Sequence, residues 1–459
     1  MPRITIQELV HATRGALVSG DLGGSVASVS IDSRTLPPGA VFFAIRGQRL
    51  DGHAFVREAA LRGAGALVVE NIPDDLPAGV PLVLVDDTTQ ALGRLAAYYR
   101  QQVSIPVVAI TGSNGKTTTK EMTAQVLAMR WRVLKSEGSF NNQWGVPLTL
   151  LRLSSEHEAL VVELGTSGFG EISYLASLVR PTHAVVTSIG PAHLEAFGSL
   201  AGVQKAKGEL VEALGADGTA VLNADDPLVL ALREKVKGQA FTFGRSPEAH
   251  VRAFDITRAP GAGLRFTIDL AGERHPVHLA FEGAHNVYNA LAAALVGSLL
   301  GLEGREIVQG LEAARPQKGR LVWRSAGSIR ILDDSYNANP ASVRAALETL
   351  MAGNSGRALV ALGNMEELGA AAQESHREIG RYAGQLGVTA LVTVGSLAAL
   401  AAEAAEGNGC RLVRAVQTVE EAVHCLTDWL QPGDRLLVKG SRIMQMDRIV
   451  ETLLREPHE

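Results

Sequence analysis

The chain has 459 residues, 46% hydrophobic and 20% charged, with a formal net charge of -5. That composition reads as a globular protein with ample core, and its charge balance argues against nucleic acid as a partner, which would call for a basic face. The opening "MPRITIQELV" lacks the apolar stretch of a secretion signal, and no apolar run reaches the roughly 18 residues of a membrane span, so a cytoplasmic protein with no membrane span is expected.

In chain order, "GAVFFAI" and "GALVVE" read as strands with the helix "AFVREAALRG" between them. "TQALGRLAAYYRQQ" follows as a helix with apolar residues three and four apart. A boundary near "VSIP" closes a first unit, 1–103. From 105 onward, strands ("IPVVAIT", "ALVVELG", "THAVVTSIG", "GTAVLN") alternate with helices ("KTTTKEMTAQVLAMR", "EISYLASLVR", "SLAGVQKAKGELVEAL"). Such alternation predicts a parallel sheet covered by helices. Short strands over 241–281 and the helix "NVYNALAAALVGSLLG" complete a second unit, 104–322. A further alternating block, with strands "IRILDD", "ALVALG", "ALVTVG", "RLVRAV" and "RLLVKG", makes a third unit, 323–459. The expected fold is α/β with three domains: a small mixed α/β N-terminal domain, a central P-loop-type mostly parallel sheet, and a C-terminal doubly wound Rossmann-like domain. Cys410 and Cys425 form no CxxC pattern and read as reduced apolar residues.

"ITGSNGKTTT" (110–119) carries the GK[ST] core of a phosphate loop between a strand and a helix. The common eight-residue form places a glycine where this chain has Ile110, and the nearest preceding glycine is Gly112. Residues Gly112, Ser113, Asn114, Gly115, Lys116, Thr117 and Thr118 would surround a nucleotide's phosphates, with free N–H groups at the helix start. Lys116 adds a point charge, and the Thr117 hydroxyl can ligate magnesium. Glu163 closes the next strand, where it reads equally as a magnesium ligand or as an acid in water. His193 follows the strand after that, and Lys207 reads by default as a solvated helix lysine.

Together "TGSNGKTTT", "ELGTSGFGEI" and "HLEAFGS…AKGEL" resemble the central domain of the Mur ligases, ATP-dependent enzymes that build the peptide of the cell-wall precursor. The family's own loop is T-G-x-N-G-K-T, which accounts for Ile110. "SIDSRTLPPGAVFFAIRGQRLDGHAFV", "SFNNQWGVPLTLL", "GAHNVYNALAA", "KGRLVW", "LDDSYNANPAS", "LGNMEELG" and "VKGSRIMQMDRIV" extend the resemblance over essentially the whole chain. "DSYNANP" and "VKGSRIM" point within the family to addition of D-alanyl-D-alanine to a UDP-N-acetylmuramoyl tripeptide. The chain departs from the family's frequent L-G-D-M at Asn364, and lacks the Asn-His pair common after Glu163.

The resemblance implies ATP with two magnesium ions, and two small-molecule substrates joined through an acyl phosphate. It implies catalytic roles for Lys116, Lys207 and His193, one metal near Thr117, and a second near Glu163, His193 and a carbamylated Lys207. It assigns His285, Asn286, Asn289, Arg320, Asp333 and Asp334 to the nucleotide. Ser33, Arg34, Gly47, Asp51 and His53 would hold the uridine diphosphate. Asn141 and Asn142 would face substrate, and Tyr336, Asn337 and Asn339 would frame the dipeptide. A monomer is expected.

Overall fold

The computed structural model describes residues 3–455 apart from 48, 76, 78, 260–262 and 353–355. Three large sheets follow one another along the chain. The first has five strands in the order Ala16–Ser19, Leu82–Leu84, Ala66–Val69, Val41–Phe43, Val29–Ser30; only the first pair is antiparallel. The helix Thr88–Arg100, capped by the Asp87 carboxylate, ends this unit.

The central sheet has nine strands. Six parallel pairings run from Val133–Lys135 through Ala159–Glu163, Val107–Thr111, His183–Val186, Thr219–Asn223 and Gln239–Gly244 to Val251–Ala259. Gly263–Leu270 and Glu273–Leu279 then extend the same sheet antiparallel. The stretch read as short strands is therefore a three-stranded antiparallel extension of the parallel sheet. The inner strands are buried on both faces: Val108, Ile110 and Val161 pack under helices Lys116–Leu127 and His285–Leu299. Val107, Ala109, Leu160 and Val162 pack against Glu171–Val179 and Leu200–Glu212. This is why these strands read as unbroken apolar runs.

The core on that second face continues into the N-terminal unit through Leu92, Leu95 and Tyr99. At the junction Arg100, 6% exposed, donates to the carbonyls of Val179 at 2.8 Å, Val103 at 2.6 Å and Arg180 at 3.3 Å. It thereby satisfies the carboxyl end of helix Glu171–Val179, an end that favours a cation.

The last sheet runs Val322–Ala326, Ile329–Asp334, Arg435–Lys439, Ala358–Gly363, Ala390–Val394, Leu412–Val416, with only the first pair antiparallel. Alternate residues of Ala358–Gly363 enter two cores: Ala358, Val360 and Leu362 face helices Pro340–Met351 and Ala372–Gln385, while Leu359 and Ala361 face Val419–Trp429 and Asp447–Arg455. Helices on both faces make this unit doubly wound.

Candidate active site

Strand Val107–Thr111 lies between Ala159–Glu163 and His183–Val186, so the chain leaves its carboxyl end at a topological switch point, where open α/β sheets bind ligands. Ile110 is a buried strand residue opposite Val185 and needs no glycine. The loop starts at Gly112, φ 148°, and turns at Gly115, φ 82°, into helix Lys116–Leu127. A Cβ on Gly112 would lie 1.9 Å from Thr187 Oγ1, and one on Gly115 2.3 Å from Asn289 Oδ1. Both positions therefore demand glycine. Thr187 Oγ1 donates to the Asn114 carbonyl at 2.5 Å, the Ser113 N–H to the Ser188 carbonyl at 2.8 Å, and Ser113 Oγ to the Gly190 carbonyl at 3.0 Å. No side chain caps this helix, so its first N–H groups are left for an anion.

The loop opens on a cavity of about 580 Å³ lined by residues 113–118 and by Asn141, Asn142, Glu163, His193, His285, Asn286, Asn289, Arg320, Asp334, Tyr336, Asn337 and Asn339. Lys116 Nζ donates to the Gly112 carbonyl at 2.8 Å. Burial pushes its ammonium down, with Glu163 opposing and Arg320 reinforcing. Thr117 Oγ1 donates to Glu163 Oε2 at 2.7 Å and accepts from Arg320 Nη2 at 2.9 Å, while Glu163 Oε1 accepts from Asn141 Nδ2 at 2.8 Å. At 1% exposure Glu163 is not an acid in water. Thr117 and Glu163 offer hard oxygens of the kind magnesium takes together with phosphates and water. Among the described residues, no group of three His, Cys, Asp or Glu could hold a metal by itself.

The last unit supplies the far wall. Asn339 Nδ2 donates to Asn114 Oδ1 at 2.8 Å, the Tyr336 hydroxyl bonds Ser139 Oγ, and Arg320 lies over the Tyr336 ring at 4.1 Å. Asn142 Oδ1 accepts the N–H groups of Trp144 and Gly145, and Asn289 Nδ2 donates to Asn286 Oδ1 at 2.7 Å. The His285 imidazole is pushed down to about 4 by burial, Lys439 and Arg258. Its open side faces the cavity, where solvent moderates that shift, and the ring is neutral at pH 7. Asp333, expected to reach the nucleotide, does not line the cavity; its Oδ1 accepts from Ser335 Oγ at 2.6 Å.

His193 adopts φ 54° and pairs through Nδ1 with Glu367 at 2.6 Å, a residue 174 positions away for which the sequence carries no pairing signal. Lys207 is 2% exposed rather than solvated, and has no hydrogen-bond or ion-pair partner among the described residues. Burial, then Lys116, pushes its amine well below the usual lysine range. It does not itself line the cavity.

The five uridine candidates lie apart from this cavity. His53 Nε2 accepts the Glu70 N–H at 2.9 Å, which leaves Nδ1–H to donate to Asp51 Oδ1 at 2.7 Å, and the Asp51 side chain also accepts the His53 backbone N–H. The Gly47 N–H donates to the Leu50 carbonyl at 2.9 Å. Ser33 Oγ bonds Glu58, and the exposed Arg34 pairs with Asp32.

Lys439, Ser139 and Thr187 line the cavity without a role assigned from sequence, although the first two fall inside the quoted segments "VKGSRIMQMDRIV" and "SFNNQWGVPLTLL". A lysine closing the apolar run "RLLVK" was a further signal for the first. Asn364 is satisfied at both ends: its Nδ2 donates to Glu366 at 3.0 Å and its Oδ1 accepts the Ala398 N–H at 2.9 Å. An aspartate could not donate there, which accounts for the amide. In place of the Asn-His pair, the Ser167 N–H is taken by Glu171 at 2.8 Å.

Residues 25–100, 110–297 and 319–442 match family models described as "Mur ligase family, catalytic domain", "Mur ligase middle domain" and "Mur ligase, glutamate ligase domain". The chain is 38% identical over 456 residues, 99% of each chain, to the UDP-N-acetylmuramoyl-tripeptide--D-alanyl-D-alanine ligase of Escherichia coli strain K12. It resembles crystal structure I of MurF from Acinetobacter baumannii at TM-score 0.91 and 34% identity, over 99% of this chain and 100% of that one. It also resembles the MurF ligase of Thermotoga maritima in complex with ADP, at TM-score 0.82 and 27% identity, over 94% and 98%.

Proposed function

This chain belongs to the Mur ligase family, and from that premise we propose that it joins D-alanyl-D-alanine to UDP-N-acetylmuramoyl-tripeptide while cleaving ATP to ADP and phosphate. The observation that carries the reading is one cavity in which an uncapped phosphate loop meets Arg320, just before the last sheet, and Tyr336 and Asn339, just after its strand Ile329–Asp334.

The tripeptide carboxylate attacks the γ-phosphorus; the bond to the β–γ bridging oxygen breaks, ADP leaves, and an acyl phosphate remains. The dipeptide amine then attacks the acyl carbon, phosphate leaves with the bonding electrons, and the amine gives up a proton. The first step brings two anions together, so positive charge aimed at the transferring group governs the barrier. The loop N–H groups, Lys116 and Arg320 supply it. Magnesium, when bound, neutralises triphosphate charge, and Thr117 and Glu163 are its fitting ligands. His193 and Lys207 would support a second ion.

The UDP-linked precursor is assigned to unit 1–103 through Ser33, Arg34, Gly47, Asp51 and His53. ATP goes to unit 104–322, and the dipeptide to unit 323–459 through Tyr336, Asn337 and Asn339. This reading places a monomeric enzyme in the cytoplasm. Phosphate release that requires both the UDP-linked tripeptide and D-alanyl-D-alanine is the expected result of a coupled assay; release with neither present would overturn the reading in favour of a plain ATPase.

Carbamylation of Lys207 is part of the proposal. A neutral, unpaired amine is the form that adds carbon dioxide, and the product is an anion suited to a metal. Lys207→Glu should keep more activity than Lys207→Ala, and bicarbonate or a small acid should restore part of the alanine variant's rate. Equal loss in both with no rescue would remove the carbamate.

A further inference from the structure

Lys439 ends strand Arg435–Lys439 after three apolar residues and is 2% exposed. A buried ammonium persists only with good partners. Its register partner Asp334, on the neighbouring strand, accepts from Lys439 Nζ through Oδ2, and the Asn337 carbonyl accepts at 2.9 Å. Both Lys439 and Asp334 line the cavity.

Each partner leads to a different wall of the site. Asp334 Oδ1 accepts the Leu321 N–H at 3.1 Å. Leu321 sits at φ 55°, an uncommon conformation for a branched side chain, and follows Arg320, whose guanidinium reaches Thr117 at 2.9 Å. Asn337 stands between Tyr336, under the Arg320 guanidinium, and Asn339, bonded to Asn114.

We infer that Lys439 is a positioning residue for the ligase reaction: through Asp334 it fixes the Leu321 turn that aims Arg320 at the phosphate loop, and through the Asn337 carbonyl it fixes the segment that carries Tyr336 and Asn339. This rests on the reading that the loop and Arg320 receive the nucleotide.

The charged groups that act on Asp334 are Lys439 and Arg320, and Lys439 together with Arg258 also acts on the nearby His285 ring. Burial pushes the Asp334 carboxyl up, and Lys439 is the largest opposing influence. With Lys439 gone the carboxyl takes up a proton at higher pH, and its hold on the Leu321 N–H weakens. Nucleotide affinity then falls with acidification from a higher pH than in the wild type.

The test measures ADP affinity by calorimetry on the full chain between about pH 5.5 and 9, with thermal melting at each pH, so that every shift is read against the wild type. Lys439→Met should bind ADP about tenfold more weakly at the acid end, with its acid limb moved up by about one pH unit. The double variant D334N/K439M carries neither buried charge; it should bind about tenfold more weakly with no such limb. A Lys439→Met limb that coincides with the wild type's, or a loss uniform across pH, overturns the inference. If Lys439→Met does not fold, the double variant decides: wild-type affinity there overturns it as well. Failure of the ligase reading shows separately, as a wild type that releases no phosphate with both substrates.

Discussion

Lys116 is a residue at odds with its surroundings. Burial pushes its ammonium down, so the charged form is less stable in the folded chain than in the unfolded one. Among the described residues its one hydrogen-bond partner is the Gly112 carbonyl at 2.8 Å, a neutral group, and the nearby Glu163 only partly offsets burial. The charge therefore costs stability at every pH where an unfolded lysine is ionised, and its retention makes sense only through a ligand. Lys116→Met should leave the melting temperature unchanged or raised while lowering kcat by about 10²–10³-fold, the usual loss when a positive group facing developing charge is removed. Melting curves beside phosphate-release rates would check it; a variant that loses stability and activity together would contradict it. Thr117 differs, because its hydroxyl is already shared between Glu163 and Arg320. A ligand there must reorganise bonds that exist.

At the scale of elements, the parallel strands and their helices were legible because burial on both faces writes a strand as an apolar run. The phosphate loop was legible because strand, glycines and helix occur in one contiguous stretch. The antiparallel extension was not: its strands alternate in burial, and nothing in the pattern says that Val251–Ala259 pairs with Gln239–Gly244 in the central sheet. Helix Gly145–Leu150 was hidden by its length and by Pro147. Contacts between distant segments, such as His193 with Glu367 and Tyr336 with Ser139, depend on how the units meet, and no local spacing encodes that.

The turn 364–369 shows how one element is pinned. His376, fully buried, accepts the Met365 N–H at Nε2, 2.9 Å, and approaches the Ala372 carbonyl through Nδ1 at 2.6 Å. Both contacts are satisfied by the neutral ring with its proton on Nδ1. Burial pushes the ring below the ordinary histidine value. As pH falls through that value the unfolded chain binds the proton first, so folding stability declines; above it the contribution is whole. Denaturation midpoints should drop on acidification below about pH 6.5, and His376→Gln should flatten that drop while lowering stability at neutral pH. An unchanged slope in the variant would assign the acid sensitivity elsewhere.

At the scale of the whole molecule, the central and C-terminal units enclose one cavity, and no residue of the first hundred, the uridine candidates included, lines it. On the proposed function, a precursor held at both places would have to bridge them, which would leave binding to the N-terminal unit and chemistry to the other two. The junction behind it depends on Arg100, which donates to three carbonyls. Arg100→Met leaves buried carbonyls unpaired and should lower stability by about 3 kcal/mol. Because the partners are dipoles rather than opposite charges, the loss should persist in strong salt. Chemical denaturation at low and high ionic strength measures both.

Arg100 has a consequence for dividing the chain. A cut at the natural-looking boundary after 103 would strand the guanidinium on one piece and two of its three carbonyls, those of Val179 and Arg180, on the other. The same cut would expose the shared core around Leu92, Leu95 and Tyr99. The nucleotide-handling portion, expressed alone from residue 104, would thus carry an open helix end and a bare apolar face. The first hundred residues act on it as a built-in folding partner, whatever they bind.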